Sequence, residues 1–349
     1  MHDIVRGRLR NQFLEKRHTG TAAELVAWMG AVQAQEYEHA RWGLGLRLAG
    51  SRVADAIESE ISAGRILRTH VMRPTWHFVV AEDLRWMQAL TSSRVHSRMA
   101  PYNRRLELDA KTMTRAMSII ERALGDGACL TRAELGDALR RARIVVTPLR
   151  LAHIAMHAEL ECVVCSGPRR DRQFTYALVS SRASLGPRLA RDEALGELAR
   201  RFFQSHGPAT VRDFVWWSGL TTLDARRGAD IVRASVRIAD GRHYYSFESA
   251  QPASRAVKAV TAHMLPIYDE YLVAYRDREV VPHRPTTIMK NGRVVGFQHA
   301  IVIGGQVAGT WRTDGRGGAA TLAPMRRLTA EERESLAMVV RRYSRFVAR

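Results

Sequence analysis

The stretch LVAWMGAVQAQEYEH, residues 25–39, closes an apolar helical pattern with two glutamines one residue apart, Gln33 and Gln35. Thr21 followed three residues later by Glu24 has the spacing of a capping box. A helix is therefore expected to start near Ala22 and to carry Leu25, Met29 and Val32 on one face. Residues i and i+2 of a helix point about 200° apart, so the two amides cannot serve one ligand from mid-helix. They can converge only where the helix ends.

Outward from this stretch, Val53, Ala54, Ile57 and Ile61 fall at helical spacing, and Gly64 stands where a terminating glycine belongs. Two β-rich runs follow, RILRTHV and PTWHFVV, with Met72 and Arg73 near their turn and Pro74 placed on an edge. Helix, helix, hairpin is the order of a winged helix. Residues 81–99 read as a long basic helix leading out of it.

The order recurs. Residues 111–124 are helical, Thr131 and Glu134 form a second capping-box pattern, and a helix is expected from Pro148 to about Glu161. Strands around CVVCS and QFTYALVS then flank the basic loop GPRRDR. A third copy runs through DEALGELARRFFQSHG, PATVRDFVWWSGL and LDARRGADIVR, and closes on RIADGRHYYSF with Asp240 and Gly241 as its turn. Trp216 and Trp217 are adjacent, so one is expected in the core and the other partly exposed, both as packing residues.

After Gln251 the chain turns apolar and aromatic in HMLPIYDEYLVAYRD. It then alternates in β fashion from Thr286 to Thr313 around Asn291 and Gly292 and around Gly304 and Gly305. Thr329 to Phe346 carries glutamates early and arginines late, as the helix dipole favours. The expected fold class is α+β. Three tandem winged-helix units form a C-shaped clamp over residues 1–100, 101–190 and 191–250, followed by an antiparallel β module and terminal helix over residues 251–349.

The 349 residues carry 54 basic and 35 acidic side chains, a formal charge of 54 − 35 = +19. Such a charge attracts phosphate, although an arginine bias with only four lysines also reflects composition. No apolar run has the length of a signal peptide or membrane span, so a cytoplasmic, nucleoid-associated protein is expected. His153, His157, Cys162 and Cys165 could on paper ligate zinc, but they sit in an amphipathic helix running into an apolar strand. Free cysteine there behaves as a small hydrophobe, and no metal is expected. No phosphate-binding loop, dinucleotide fingerprint, zinc-protease motif or nucleophile elbow is present.

The blocks VQAQE, RPTWHFV, HAELECVVCSGPRRDRQFTYAL, HGPATVRDFVWWSGL, LPIYDEYLVAYRDR and GGQVAGTWR resemble the AlkZ-like DNA glycosylases, a family of tandem winged-helix proteins. The resemblance covers nearly the whole chain. Gln33, Ala34 and Gln35 match the branch with a Gln, apolar, Gln motif rather than the sister branch that ends in aspartate. Pro74 departs from the arginine, glycine, threonine sequence common in the first wing. The resemblance implies a cofactor-free enzyme that excises alkylated purines, including bulky adducts and crosslinks joined through N7 of guanine, from double-stranded DNA.

Paired amides fit that chemistry. An N7-alkylated purine is already cationic and departs neutral, so little acid assistance is needed. Each glutamine offers an acceptor and a donor able to hold a water against the anomeric carbon. Glu36 and Glu38 rank below them, because glutamates beside a helix end are usually solvated. Arg73 and His77 on the first hairpin, and Arg169, Arg170 and Arg172 on the second, are candidates for phosphate contact or minor-groove entry. The resemblance adds Lys290, Asn291 and Arg293 on a groove-inserting hairpin. The rival reading is a non-catalytic winged-helix regulator. Three units in one chain favour a monomeric clamp over the paired reading heads of such a regulator.

Overall fold

In the computed structural model of the chain, residues 1–247, 260–282, 286–290, 293–313 and 319–348 are described, with backbone alone at 289, 290 and 293–296. Helix α1 (His2–Asn11) is followed by α2 (Ala22–Met29), whose first turn is closed by the reciprocal Thr21 and Glu24 capping box. The helix stops three residues short of Val32. Gly30, at φ 76°, ends it, a conformation that costs glycine little.

Beyond Gly30 the backbone is extended, and β1 (Val32–Gln33) pairs with β3 (Arg73–Val80), Val32 opposite Phe78 and Gln33 opposite His77. Gln33 therefore lies on a strand and Gln35 in the bend that follows it, both against β3 and neither at the end of α2. Between β1 and β3 come α3 (Tyr37–Arg47), α4 (Val53–Ser62) and β2 (Ile66–Val71), giving a sheet of order β1-β3-β2. Helix α3 was not anticipated, because Gly43 and Gly45 interrupt its apolar period. Gly45 answers a packing need, since a Cβ there would lie 2.7 Å from the Phe346 ring.

The first hairpin does not project into solvent. Its turn at Met72, φ 62°, is 2% exposed, and a Cβ on Gly219 would come 2.5 Å from the Met72 carbonyl oxygen. Pro74 is in the central strand rather than on an edge. The ladder there is irregular, with His70 opposite Trp76 and Val71 opposite Arg73, so no regular pairing at Pro74 needs its missing N–H.

Helix α5 (Ala81–Arg105) leads to α6 (Ala110–Ala123), β4 (Leu130–Thr131), α7 (Arg132–Arg141), α8 (Pro148–Leu160), β5 (Val164–Ser166) and β6 (Thr175–Leu178). Their sheet order, β4-β6-β5, repeats that of the first unit. After α9 (Val179–Arg182), helices α10 (Arg191–Ser205), α11 (Val211–Ser218) and α12 (Thr222–Val232) precede the hairpin of β7 (Ser235–Ala239) and β8 (Arg242–Ser246). Asp240 and Gly241, both at positive φ, make its turn as expected.

Strand β9 (Ala262–Leu265) and the single turn α13 (Glu270–Val273) open the C-terminal part. It continues through β10 (Thr287–Lys290), β11 (Arg293–Phe297), β12 (His299–Ile303), β13 (Gln306–Arg312), β14 (Thr321–Pro324) and α14 (Ala330–Val347). Strands β10 and β11 form a hairpin, and the others a sheet of order β14-β13-β12-β9.

Apolar packing ties these parts together. Ile4, Val5 and Leu9 of α1 share a core with β12 and α14, so the first residues pack on the last part of the chain. Leu67, Val71 and Met72 of the first hairpin share another with Phe202, Phe214 and Trp217 of the third unit. The catalytic candidates lie beside the second of these cores, which takes in Ala31, and beside a further core that takes in Val32 and Ala34.

Candidate active site

Gln33 is 8% exposed and Gln35 is half-buried. The Gln33 backbone N–H donates to Glu270 Oε1 at 2.7 Å, and its side-chain oxygen accepts from Arg73 Nη2 at 3.1 Å. The Gln35 side-chain oxygen faces the Trp76 N–H at 3.4 Å. Arg68 donates to the carbonyl oxygens of Ala34, at 2.9 Å, and Gln35, at 3.2 Å. Both the backbone and the amides of the Gln-Ala-Gln segment are thus fixed by neighbours.

Glu270 is 1% exposed and also accepts from Trp217 Nε1 at 3.0 Å, with His206 Nε2 3.4 Å away. Burial pushes its carboxyl up, but His206, Arg73 and the Gln33 N–H outweigh burial and hold it below the usual carboxylate range. Burial lowers His206 in turn. A carboxylate beneath Gln33 at neutral pH is the result.

Arg73 and His77, expected to meet DNA phosphate, are turned inward. His77 is fully buried. Its Nδ1 lies 2.9 Å from the Thr75 carbonyl oxygen and its Nε2 3.1 Å from Arg73 Nη2, the pattern of a neutral ring that donates at Nδ1 and accepts at Nε2. Burial, reinforced by the Arg73 charge, lowers its pKa far below the ordinary value. Arg73, half-buried, holds the Gln33 amide and His77 backs Arg73; for the buried His77 the surface role is corrected to an internal one.

The second hairpin divides. Arg169 pairs with Glu38 at 3.0 Å and lies over the rings of Tyr37, at 4.8 Å, and Phe174, at 5.3 Å, so it joins the first two units rather than facing solvent. Arg170 is half exposed and bonded to Glu134 at 2.8 Å. Arg172 is exposed, with no side-chain partner among the described residues. Asn291 lies outside the described residues, as do the side chains of Lys290 and Arg293.

Sequence reasoning passed over Glu270, Trp217's hydrogen bond, Arg68 and Trp76. A signal existed for the first: Asp269 and Glu270 are adjacent acids inside the apolar run PIYDEYLVAY. Acids so placed are buried only with partners. Asp269 has one in Arg47, bonded through both oxygens at 2.7 and 2.8 Å. Cys165 is wholly buried, its thiol pushed up to about 12, mainly by burial, whereas Cys162 is half-buried. Among the described residues, the donors that converge are His96, His157 and Glu161, without either cysteine of the CxxC pair.

The family model described as DNA glycosylase AlkZ-like matches residues 26–346. The chain belongs to the AlkZ-like DNA glycosylase family. A family relative, the interstrand DNA cross-link repair glycosylase of Streptomyces sahachiroi, is 24% identical over 323 residues, covering 87% of this chain and 85% of that protein. The solved structure of the Streptomyces sahachiroi DNA glycosylase AlkZ shares the fold, with a TM-score of 0.79 and 21% identity over 98% of this chain and 96% of that one. The AlkZ-like fold thus runs through all the described parts. No helix among the described residues is long and apolar enough to cross a membrane.

Proposed function

We propose that the chain is a monofunctional DNA glycosylase that hydrolyses the N-glycosidic bond of N7-alkylated purines in duplex DNA, bulky adducts and interstrand crosslinks included. It works as a monomer, with its three helix-and-hairpin units as winged helices clamped on the duplex. The observation that carries this reading is the setting of Gln33 and Gln35. Arg73 and the Trp76 N–H hold the two amide oxygens, while the buried Glu270 carboxylate and Arg68 hold the backbone that carries them. Solvated surface residues of a regulator need no such support.

In the proposed reaction the C1′–N9 bond breaks with its electron pair passing to the purine, which cancels the positive charge and leaves as a neutral base. Water adds to C1′ and gives up one proton to solvent, leaving an abasic sugar. Each glutamine oxygen uses one lone pair on Arg73 or on the Trp76 N–H and has a second for a water hydrogen. Oriented in this way, the water meets the oxocarbenium-like sugar with no need of a charged base. An unmodified base, lacking the positive charge, stays attached.

The test is release of free N7-methylguanine from a defined duplex by the purified protein, read by mass spectrometry without added metal. Appearance of the base together with an abasic site supports the reading. Intact DNA under saturating protein leaves only a binding protein.

A further inference from the structure

A cleft of about 430 Å³ opens between the first and second units. Its walls include Arg68, Trp76, Arg132, Arg172, Phe174 and Tyr176, with no acidic residue among those that line it. Two walls touch Gln35 directly: Arg68 donates to its carbonyl oxygen and the Trp76 N–H faces its side-chain oxygen. Gln35 does not itself line the cleft, but two of the residues that do are bonded to it.

The walls are ordered by alternating cations and rings. The Arg68 guanidinium lies 4.4 Å from the Trp76 ring and 4.7 Å from that of Phe174, and Arg132 lies 5.5 Å from Trp76. Phe174 remains 38% exposed at the rim, and Arg172 is exposed beside it. Burial lowers the pKa of Arg68, against the opposing pull of the Glu159 carboxylate, which sits behind the Trp76 ring and does not line the cleft.

Three guanidiniums and no lining acid make this a poor host for a purinium, which is itself positive. Guanidinium planes and aromatic edges instead favour a flat, electron-rich ring. The volume falls in the range of small-ligand pockets and suits one or two rings.

We propose that this cleft is a recognition pocket for the flat aromatic arm of a bulky purine adduct, held there while Gln35 acts on the sugar. The proposal rests on the reading of the chain as an N7-alkylpurine glycosylase. It assigns Phe174 and Arg132 a part in choosing the adduct.

The experiment compares duplexes carrying one N7-methyl, N7-benzyl or N7-(cyclohexylmethyl)guanine, the last two being similar in bulk but only one aromatic. Single-turnover release is measured on ordinary deoxyribose. Affinity is measured on a 2′-fluoro sugar, which resists cleavage. The full-length protein should prefer benzyl over cyclohexylmethyl by about fivefold in both measurements, the scale of one solvent-accessible cation–π contact. Phe174→Leu and Arg132→Gln should bring that ratio to within about twofold of one, whatever they cost in absolute rate.

A wild-type ratio near one, as expected if the cleft took an extruded base instead, overturns the pocket. So does a preference that survives both substitutions. If no base is released but the binding preference holds and is lost in the variants, the pocket stands and the glycosylase reading fails.

Discussion

The backbone N–H of Gln33 and the carboxylate of Glu270 are joined at 2.7 Å across 237 residues of sequence. This bond couples a strand of the first unit to a one-turn helix in the last part of the chain. Glu270→Ala removes a buried acceptor from two donors, Gln33 N–H and Trp217 Nε1, and should destabilise the fold by about 2–4 kcal/mol. Glu270→Gln keeps an acceptor and should retain more stability while slowing excision. Thermal melts and single-turnover rates on the two variants check this. Equal melting temperatures for Ala and Gln would show that the acceptor is not what matters.

Arg73 separates two views of the first hairpin. Its Nη2 donates to Gln33 Oε1 and meets His77 Nε2, both at 3.1 Å, so Arg73→Lys should slow excision about tenfold with DNA affinity within about twofold of wild type. A phosphate contact would give the opposite split, weaker binding with an unchanged rate at saturation.

Arg172 and Arg170 are the accessible members of the second hairpin. Replacing Arg172 with glutamine should reduce the slope of log affinity against log salt for undamaged duplex by about one. Arg169→Gln, which removes the link to Glu38, should leave that slope nearly unchanged. Titrations at several salt concentrations decide between them, and an equal loss for both would return Arg169 to the DNA surface.

Amides do not titrate, so the single-turnover rate should be flat from about pH 6 to 9. Stability should not be. Burial lowers His77 far below its ordinary value and, as the leading cause, brings His263 to about 4 from 6.5. The unfolded chain therefore takes up protons first. The stabilisation is complete above about pH 6.5 and is lost as pH falls toward the folded values, up to about 3 kcal/mol for His263 alone. Melting temperatures across pH 7 to 4 check the direction. A melting temperature that rises on acidification contradicts it.

Much of this architecture was legible because local rules agreed with it. The capping boxes at Thr21 and Thr131 start α2 and α7, and the Asp240 and Gly241 turn closes the β7–β8 hairpin. The site was legible as residue types but not as geometry. Nothing short-range says that Gly30 ends α2 early and turns Gln33 into a strand residue. The inward turn of Arg73 depends on Met72 being seated against Gly219, 147 residues away by number, a contact no periodicity contains. Glu270 was hidden for the same reason, since its partners Gln33, His206 and Trp217 come from distant stretches.

The central claim is that Gln33 and Gln35 together order the attacking water. The measurement is single-turnover release of N7-methylguanine at saturating protein by Gln33→Ala, Gln35→Ala and the double variant, with duplex affinity determined in parallel. The account predicts that each single change slows release by about tenfold or more, that the double costs less than the product of the two, and that affinity is preserved. Wild-type release rates in both single variants would contradict it.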